Sequence, residues 1–370
     1  MSARFLTVVL ERAFNMRDGF GREIDYMRIS VIDSCNLNCY YCNPQDNNKN
    51  CQAINILSVK EVLCIVRAAT RLGIKHFRLT GGEPLLHPQL DEMVLQIKKI
   101  PGVSSVSLTT NAVLLAQHAK WLKEAGIDSI NVSLDTIDAS EYERITKKPL
   151  LEEVKHGINA AIECGIRVKI NVVLTPQTDV VALTRYVAKK GTDIRFIEMM
   201  PVGEGHTNGV EPYKKVIGTL SKLYGEPCRI NTEKTKEINS GNDKRKIPDN
   251  GPAEYYIFPE LGIRVGLIQA IHGKFCDTCN RIRVTADGRL MPCLGSSVTM
   301  DLVPDSCEFT DDLEKDFAIV RALRAAIKAK PRCHNFNDNA VTYTKTTETK
   351  TTEIEAAEVN AARNMSRIGG

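Results

Sequence analysis

Short apolar runs alternate with amphipathic stretches through the first half of the chain, and this alternation restricts the possible folds most. Between the first two runs, apolar residues recur at helical spacing after Ser58, a candidate N-cap, and before Gly73. Segments 114–122 and 154–164 behave similarly. Repeated strand and helix units in this order predict a parallel sheet with right-handed crossovers. The predicted strands are 26–31, 77–80, 106–109, 130–134, 168–174 and 194–197.

Six units rather than eight predict an α/β fold of incomplete (β/α)6 TIM-like barrel type, open along one side. From about Pro201 the pattern loosens, and residues 231–252 are rich in Lys, Asn, Asp and Gly, which is typical of an exposed loop. We therefore predict a partial barrel over residues 1–200, a smaller C-terminal domain over 201–340 that covers the open side, and a flexible tail over 341–370.

Composition narrows the functional classes. The 370 residues are 43% apolar and 25% charged, as in soluble globular proteins, and no apolar segment approaches the roughly 18 residues that span a bilayer. The net charge of +4 is scattered, so we expect no nucleic-acid partner and no membrane partner. The apolar stretch 5–10 is too short for a signal peptide, which predicts a cytoplasmic protein. The basic residues Arg4 and Arg12 leave an organelle matrix as a minor alternative.

Six of the twelve cysteines form two trios, each one thiolate short of a closed four-ligand site. Three thiolates at tight spacing indicate an iron–sulfur cluster with one iron left open for a small molecule. A zinc site with a distant fourth ligand, or buried thiols that only pack, would also fit this spacing. The first trio is Cys35, Cys39 and Cys42, and the second is Cys276, Cys279 and Cys293.

Four cations interrupt otherwise apolar strands. Burial of a lone charge is costly, so each cation needs a partner. If alternate residues face the barrel axis, these cations converge on a polar lumen and hold a multiply charged anion such as a triphosphate. Pairing with local carboxylates, or an outward course of the side chains, is the alternative. The four cations are Arg28, Arg78, Lys169 and Arg195.

Distinctive residues follow the predicted strands, where βα barrels place their active sites. Gly81, Gly82, Glu83 and Pro84 follow the second strand, and the glycines would let backbone carbonyls approach a bound ammonium while Glu83 supplies an acceptor. An ordinary turn is the alternative. After the second CxxC pair, Arg281 and Arg283 alternate and so share one side of a strand, either as substrate clamps or as a solvated face.

Together these residues resemble a known family. CxxxCxxC followed by GGEP is similar to the radical S-adenosylmethionine superfamily, and the whole chain resembles the GTP 3′,8-cyclases of molybdenum cofactor biosynthesis. The segments that carry the resemblance are GFGREIDYMRISVIDSCN, RLTGGEPLL, LTTNA, INVSLDTID, VKINVVL, IRFIEMMPVG, GPAEYY, FCDTCNRIRVTADGRL and the terminal MSRIGG.

The resemblance implies that the first trio holds a [4Fe-4S] cluster whose open iron binds S-adenosyl-L-methionine and, once reduced, cleaves it to a 5′-deoxyadenosyl radical. The positions that would contact S-adenosylmethionine are Tyr41, Gly82, Ser133 and Met200, with Glu83 nearby.

The resemblance also implies that the second trio holds a [4Fe-4S] cluster whose open iron binds the guanine base of GTP. The radical would abstract the C3′ hydrogen, and attack on C8 followed by reduction would yield 3′,8-cyclo-7,8-dihydro-GTP. Catalytic positions would be Arg281, Arg283, Gly369 and Gly370, the two glycines reaching into the site from the tail. GTP-binding positions would be Arg28, Arg78, Thr109, Lys169, Arg195, Arg281, Ile282 and Arg283.

Partners implied by the resemblance are a reductant such as flavodoxin, the next pterin-forming enzyme and a second copy of the chain in a homodimer. Competing hypotheses are a radical enzyme that modifies a peptide and a non-enzymatic zinc-binding module. Six further cysteines are interpreted as structural thiols, namely Cys51, Cys64, Cys164, Cys228, Cys307 and Cys333.

Four positions depart from the family's usual residues without touching a predicted cluster ligand. His76 stands where lysine is frequent, His87 where arginine is frequent, Ala112 in place of glycine, and Gly295 in place of phenylalanine. We hypothesise that the two histidines weaken nucleotide affinity or make it depend on pH near neutrality.

Overall fold

The six predicted strands all form and lie side by side, parallel and in chain order. The computed structural model describes residues 16–42, 54–202, 210–230, 251–296, 298–302, 312–334 and 336. Its first six strands are β1 Tyr26–Ser30, β2 His76–Thr80, β3 Ser105–Thr110, β4 Ser129–Ser133, β5 Val168–Val173 and β6 Asp193–Ile197.

The C-terminal residues extend this sheet at both edges as well as lying beside it. One later strand, β9, pairs parallel with β6, and another, β10, pairs parallel with β1. The described part of the chain thus forms a twelve-stranded sheet, in the order β12-β11-β10-β1-β2-β3-β4-β5-β6-β9-β8-β7. A domain division near residue 200 stays a prediction. The later strands are β7 Cys228–Ile230, β8 Glu254–Ile257, β9 Arg264–Ile268, β10 Arg281–Val284, β11 Arg289–Met291 and β12 Met300–Asp301.

The three predicted helices form, and the first of them begins at the expected cap, Ser58. The Ser58 hydroxyl accepts a hydrogen bond from Glu61 N at 3.3 Å, and the Glu61 carboxylate accepts one from Ser58 N at 2.8 Å. No helix in the described ranges is long and apolar enough to cross a bilayer. The helices are α1 Val59–Arg71, α2 Leu90–Lys98, α3 Leu115–Glu124, α4 Ala139–Thr146, α5 Leu151–Glu163, α6 Val180–Lys189, α7 Gly218–Tyr224 and α8 Asp312–Lys328.

Each barrel strand has one apolar face and one polar face. Phe77 and Leu79 of β2, like Met27 and Ile29 of β1, are fully buried in the core between sheet and helices. Burial of such a side chain contributes about 1.5–3 kcal/mol. The residues that alternate with them along the strands, such as Arg28 and Arg78, point toward the barrel axis. The packing of the core therefore determines that the lumen is polar.

Ala112 adopts a left-handed backbone with φ of 65° while its methyl group is completely buried. This conformation costs an L-residue roughly 1–2 kcal/mol, so we expect Ala112→Gly to stabilise the fold by up to about 1 kcal/mol. The matched control is Ala119→Gly inside α3, equally buried, which should destabilise by about 1 kcal/mol or more. Urea unfolding measures both variants, and equal losses would contradict the strain argument.

Candidate active site

A cavity of about 620 Å³ occupies the barrel lumen and is lined by residues of all eight parallel strands. All six cysteines of the two trios line it. Among the residues predicted from sequence, the lining includes Tyr41, Gly82, Ser133, Met200, Arg28, Arg78, Thr109, Lys169, Arg195, Arg281 and Arg283. The fold therefore brings together most of the predicted site residues.

The two trios lie at opposite ends of this cavity. The first trio follows the carboxyl end of β1, whereas Cys276 and Cys279 precede β10, which runs parallel to β1. Cys293 follows β11, which returns antiparallel to the same end. The five residues of β1, at about 3.3 Å each, separate these two ends of the strand by roughly 17 Å.

The Gly81–Gly82 pair holds the first cysteine loop against the end of β2. Gly82 N donates to Ile32 O at 2.7 Å, and Glu83 N donates to Ser34 O at 2.8 Å. A Cβ atom at Gly82 would lie 2.1 Å from Ser34 O, so glycine is required for this contact between backbones. The approach of a ligand's ammonium to the same carbonyls stays a prediction.

Glu83 braces two strand ends and does not line the cavity. Its carboxylate accepts hydrogen bonds from Thr110 Oγ1 at 2.7 Å, Asn111 N at 2.7 Å and Leu85 N at 3.0 Å. The side chain is wholly buried, and this burial raises the pKa of Glu83 to about 7 despite the three donors. The structure thus assigns Glu83 to positioning the loops, and a direct contact with S-adenosylmethionine stays a prediction.

The raised pKa of Glu83 makes stability depend on pH. Because the folded pKa of about 7 exceeds the ordinary 4.5, the folded protein holds this proton more tightly. The contribution of Glu83 is therefore complete below about pH 4.5 and falls by up to about 3 kcal/mol as pH rises through 7. The Glu83→Gln variant should not lose stability in this way as pH rises. Urea unfolding of both proteins without clusters, near pH 5 and pH 8, tests it, and parallel pH profiles would refute the assignment.

Two further side chains lie beside the first trio: Asn111, which the sequence marks only as part of a motif at the end of the third predicted strand, and Asp135, which was not identified from sequence. Asp135 accepts hydrogen bonds from Tyr41 Oη at 2.5 Å and from Val173 N at 2.7 Å, and burial raises the pKa of Asp135 to about 6. Asn111 Nδ2 donates to Cys35 Sγ at 3.8 Å. Both residues follow strands, and that position is the signal that identifies them.

Arg28 lies in register between Arg78 on one side and Arg283 on the other. Its Nε atom is buried and makes no hydrogen bond within the described residues. Burial, followed by the charges of Arg283 and Arg78, holds the pKa of Arg28 well below its usual value. Burial and the charge of Arg281 bring the pKa of Arg283 down to about 10. The row is a positive site that a polyanion would stabilise.

The neighbouring cations agree with this interpretation. Arg195 is only 3% exposed and donates to the amide oxygens of Asn171, at 2.9 Å, and Asn131. Lys169 lies in register with Asn131, which in turn aligns with Thr109. Both partners are neutral amides, so they do not neutralise the positive charge of Arg195. Arg28 and Arg195 both line the cavity. The alternative that these two side chains point out of the barrel is therefore wrong.

The second trio is surrounded by buried cations. Burial acts to raise the pKa of the Cys279 thiol, but the charges of Arg281 and Lys330 and their hydrogen bonds bring it down to about 7. Arg22 Nη1 donates to Cys276 O at 2.7 Å. Arg281 stacks over Phe275 at 5.4 Å, and its Nε makes no hydrogen bond within the described residues. Sequence reasoning missed Arg22 and Lys330.

Several predicted residues lie elsewhere than expected. Ile282 packs its side chain into the core with 1% exposure, so any ligand contact it makes is through its backbone. His87 lies outside the cavity lining and is buried, its ring bonded to Leu57 O at 2.9 Å and Gln89 N at 3.1 Å. The hypothesis of a nucleotide contact therefore finds no support at His87. Gly369 and Gly370 lie outside the described residues.

His76 and Gly295 have local explanations. His76 lines the cavity, bonds Ser105 Oγ through Nδ1 at 2.8 Å, and has its pKa lowered by burial, so it is mainly neutral near pH 7. A Cβ atom at Gly295 would lie 2.8 Å from the Cβ of His334 and 3.1 Å from the Phe336 ring. This ring pair fills the space that a phenylalanine at 295 would need.

The remaining cysteines differ in burial. Cys64 is buried in the core as a structural thiol would be, and Cys164 is partly buried, whereas Cys228 and Cys333 are exposed, so packing does not account for these two. Cys51 and Cys307 lie outside the described residues.

The chain is similar in sequence to two protein families and to curated relatives. A family model described as the radical SAM superfamily matches residues 29–182, and one described as Molybdenum Cofactor Synthesis C matches residues 192–336. The chain is 36% identical over 327 residues to the GTP 3′,8-cyclase of Pelotomaculum thermopropionicum, covering 86% of this chain and 95% of that protein. It is 35% identical over 331 residues to the GTP 3′,8-cyclase of Petrotoga mobilis, covering 88% and 96%.

A solved structure shows a similar fold. Streptococcus suis SuiB bound to its precursor peptide SuiA superposes with a TM-score of 0.53 at 14% identity, covering 87% of this chain and 69% of that chain. At this identity the likeness concerns the fold alone.

Proposed function

The chain belongs to the GTP 3′,8-cyclase family within the radical S-adenosylmethionine superfamily, and we propose that it converts GTP to 3′,8-cyclo-7,8-dihydro-GTP in the first step of molybdenum cofactor biosynthesis. The observation that carries this proposal is the cavity with a cysteine trio at each end and, between them, a row of guanidinium groups that is half-buried at Arg28 and Arg78 and buried at Arg283. Binding of a peptide substrate or of a structural zinc ion would not require this row of positive charges.

The residues present fit two iron–sulfur clusters and S-adenosylmethionine. Three thiols at each end leave one cluster iron open, and Tyr41, Gly82, Ser133 and Met200 line the cavity where S-adenosylmethionine would lie. We propose Cys35, Cys39 and Cys42 as ligands of the first cluster and Cys276, Cys279 and Cys293 as ligands of the second. When bound, the first cluster and S-adenosylmethionine supply the radical that removes a hydrogen from the ribose.

The protein's own side chains bind and orient the nucleotide. We propose that Arg28, Arg78 and Arg283 neutralise the triphosphate, because guanidinium groups that line the cavity in one row match several phosphate oxygens. Lys169 and Arg195 would contact the same anion from the facing strands, with Arg195 held in place by Asn131 and Asn171.

The two ends of the cavity hold different groups in this proposal. Arg281 lies beside the second trio, where we propose that it contacts the end of the nucleotide remote from the radical. Thr109 and the backbone of Ile282 complete the GTP site, and Gly369 and Gly370 would enter it from the tail. The hydrogen bond between Tyr41 and Asp135 steadies the other end, because Tyr41 belongs to the first cysteine loop.

We further infer partners of the reaction. A flavodoxin-like protein would supply electrons, and a pterin-forming enzyme would consume the product in the cytoplasm. A homodimer is proposed on family resemblance alone.

Anaerobic reconstitution tests the proposal. The protein is loaded with iron and sulfide, reduced with dithionite, and incubated with S-adenosylmethionine and GTP, ATP or no nucleotide. About eight irons per chain and a cyclised product from GTP only would support it. The matched variants are Cys279→Ala and Cys228→Ala, since only the first removes a proposed ligand. S-adenosylmethionine cleavage indifferent to GTP would refute the cyclase, and bound zinc without iron would refute the whole superfamily assignment.

A further inference from the structure

Lys330 is the most deeply placed ammonium group beside the second trio, with 3% exposure. It lies just after α8, and its Nζ donates to Arg281 O at 2.7 Å and to Pro292 O at 2.9 Å. The Cys279 thiol lies close enough to this ammonium group to interact with its charge. The two carbonyl oxygens take two of the three donors of the ammonium group.

The acceptors of Lys330 belong to the segments that carry two of the cysteines. Pro292 immediately precedes Cys293, and Arg281 is two residues after Cys279. Lys330 therefore fixes the positions of Cys279 and Cys293 relative to each other. Arg22 performs the corresponding task for Cys276, since it donates to Cys276 O at 2.7 Å and to Pro331 O at 2.6 Å.

The partners of Lys330 also determine where its charge acts. Its two hydrogen-bond acceptors are neutral carbonyl oxygens, so among these neighbouring groups only the Cys279 thiol can carry a negative charge. A buried positive charge beside a ligating sulfur stabilises the more reduced state of an iron–sulfur cluster and raises its reduction potential.

We propose that Lys330 is a positioning residue of the second cluster, which assembles the trio and raises the reduction potential of the cluster bound there. The inference rests on the proposed function, because it takes the second trio to hold a cluster. Arg281, anchored by the same ammonium group, links this role to the nucleotide end of the cavity.

Two substitutions separate assembly from charge. Lys330→Met leaves two buried carbonyls without their donor, and we expect bound iron to fall from about eight to about four per chain, with the first cluster retained. Lys330→Gln keeps donors without the charge, and we expect it to keep the second cluster at a more negative potential. The matched control is Lys328→Met, an exposed lysine at the end of α8.

The measurements are iron content, the EPR response of the first cluster to S-adenosylmethionine, and an EPR-monitored redox titration of the second cluster in the full-length protein. A retained S-adenosylmethionine response in Lys330→Met shows a folded barrel. Full iron in Lys330→Met, an unchanged potential in Lys330→Gln, or equal loss of both clusters would overturn the proposal. If the unmutated protein lacks about eight irons or the GTP product, the proposed function fails instead.

Discussion

Replacing Arg28 by methionine is expected to weaken GTP binding by roughly 10- to 100-fold while making the ligand-free protein more stable. The affinity falls because one charged hydrogen-bonding group contributes about 1.5–3 kcal/mol. The stability rises because burial of the Arg28 guanidinium, whose Nε has no hydrogen-bond partner among the described residues, and the charges of Arg283 and Arg78 hold the pKa of Arg28 well below its usual value, and methionine removes that cost. We expect a gain of about 1–3 kcal/mol in the free energy of unfolding.

Calorimetric titration of the reconstituted protein with GTP and urea unfolding without ligand measure the two effects. The matched control is Arg144→Met, because Arg144 is exposed and bonded to Glu141 at 2.7 Å. Its affinity should be unchanged and its stability should change by less than about 0.5 kcal/mol. A loss of stability in Arg28→Met would show that the guanidinium has a structural partner and would remove the argument for an anion.

The alternation of strands and helices was predictable because each strand has a full apolar face. Phe77 and Leu79 are buried in the core, which sends Arg78 to the lumen, so the sequence pattern predicts both the sheet and the position of the cation. The capping box at Ser58 and Glu61 involves residues three positions apart, so it was equally predictable from sequence.

Long-range pairing was not predictable from the same pattern. Strand β10 joins β1 across some 250 residues of chain, and short segments such as β11 carry too few residues for a periodic signal. The position of the Glu83 carboxylate depends on Thr110 and Asn111 at the end of the next strand, and that of the Lys330 ammonium group depends on loops far away in sequence. Buried polar groups are therefore the residues whose roles need the structure.

A single methyl group at Gly82 is expected to abolish S-adenosylmethionine cleavage. In Gly82→Ala the new Cβ would lie 2.1 Å from Ser34 O and 2.6 Å from Asp33 O, so the first cysteine loop must move away from the end of β2. Because the clash is with backbone, no side-chain rotation relieves it, and overpacking of this kind costs about 1–3 kcal/mol or more. The displaced loop includes Cys35, so we expect the first cluster to be lost.

The expected result is about four irons per chain instead of about eight, with the second cluster intact by EPR and no 5′-deoxyadenosine formed. Gly218→Ala is the matched control, because a Cβ at Gly218 meets no atom within 4 Å. That variant should keep both clusters and full activity. Full iron and normal cleavage in Gly82→Ala would mean that the loop can shift without losing its cluster, and the first site would then be held by its thiols and not by the contact between the two backbones.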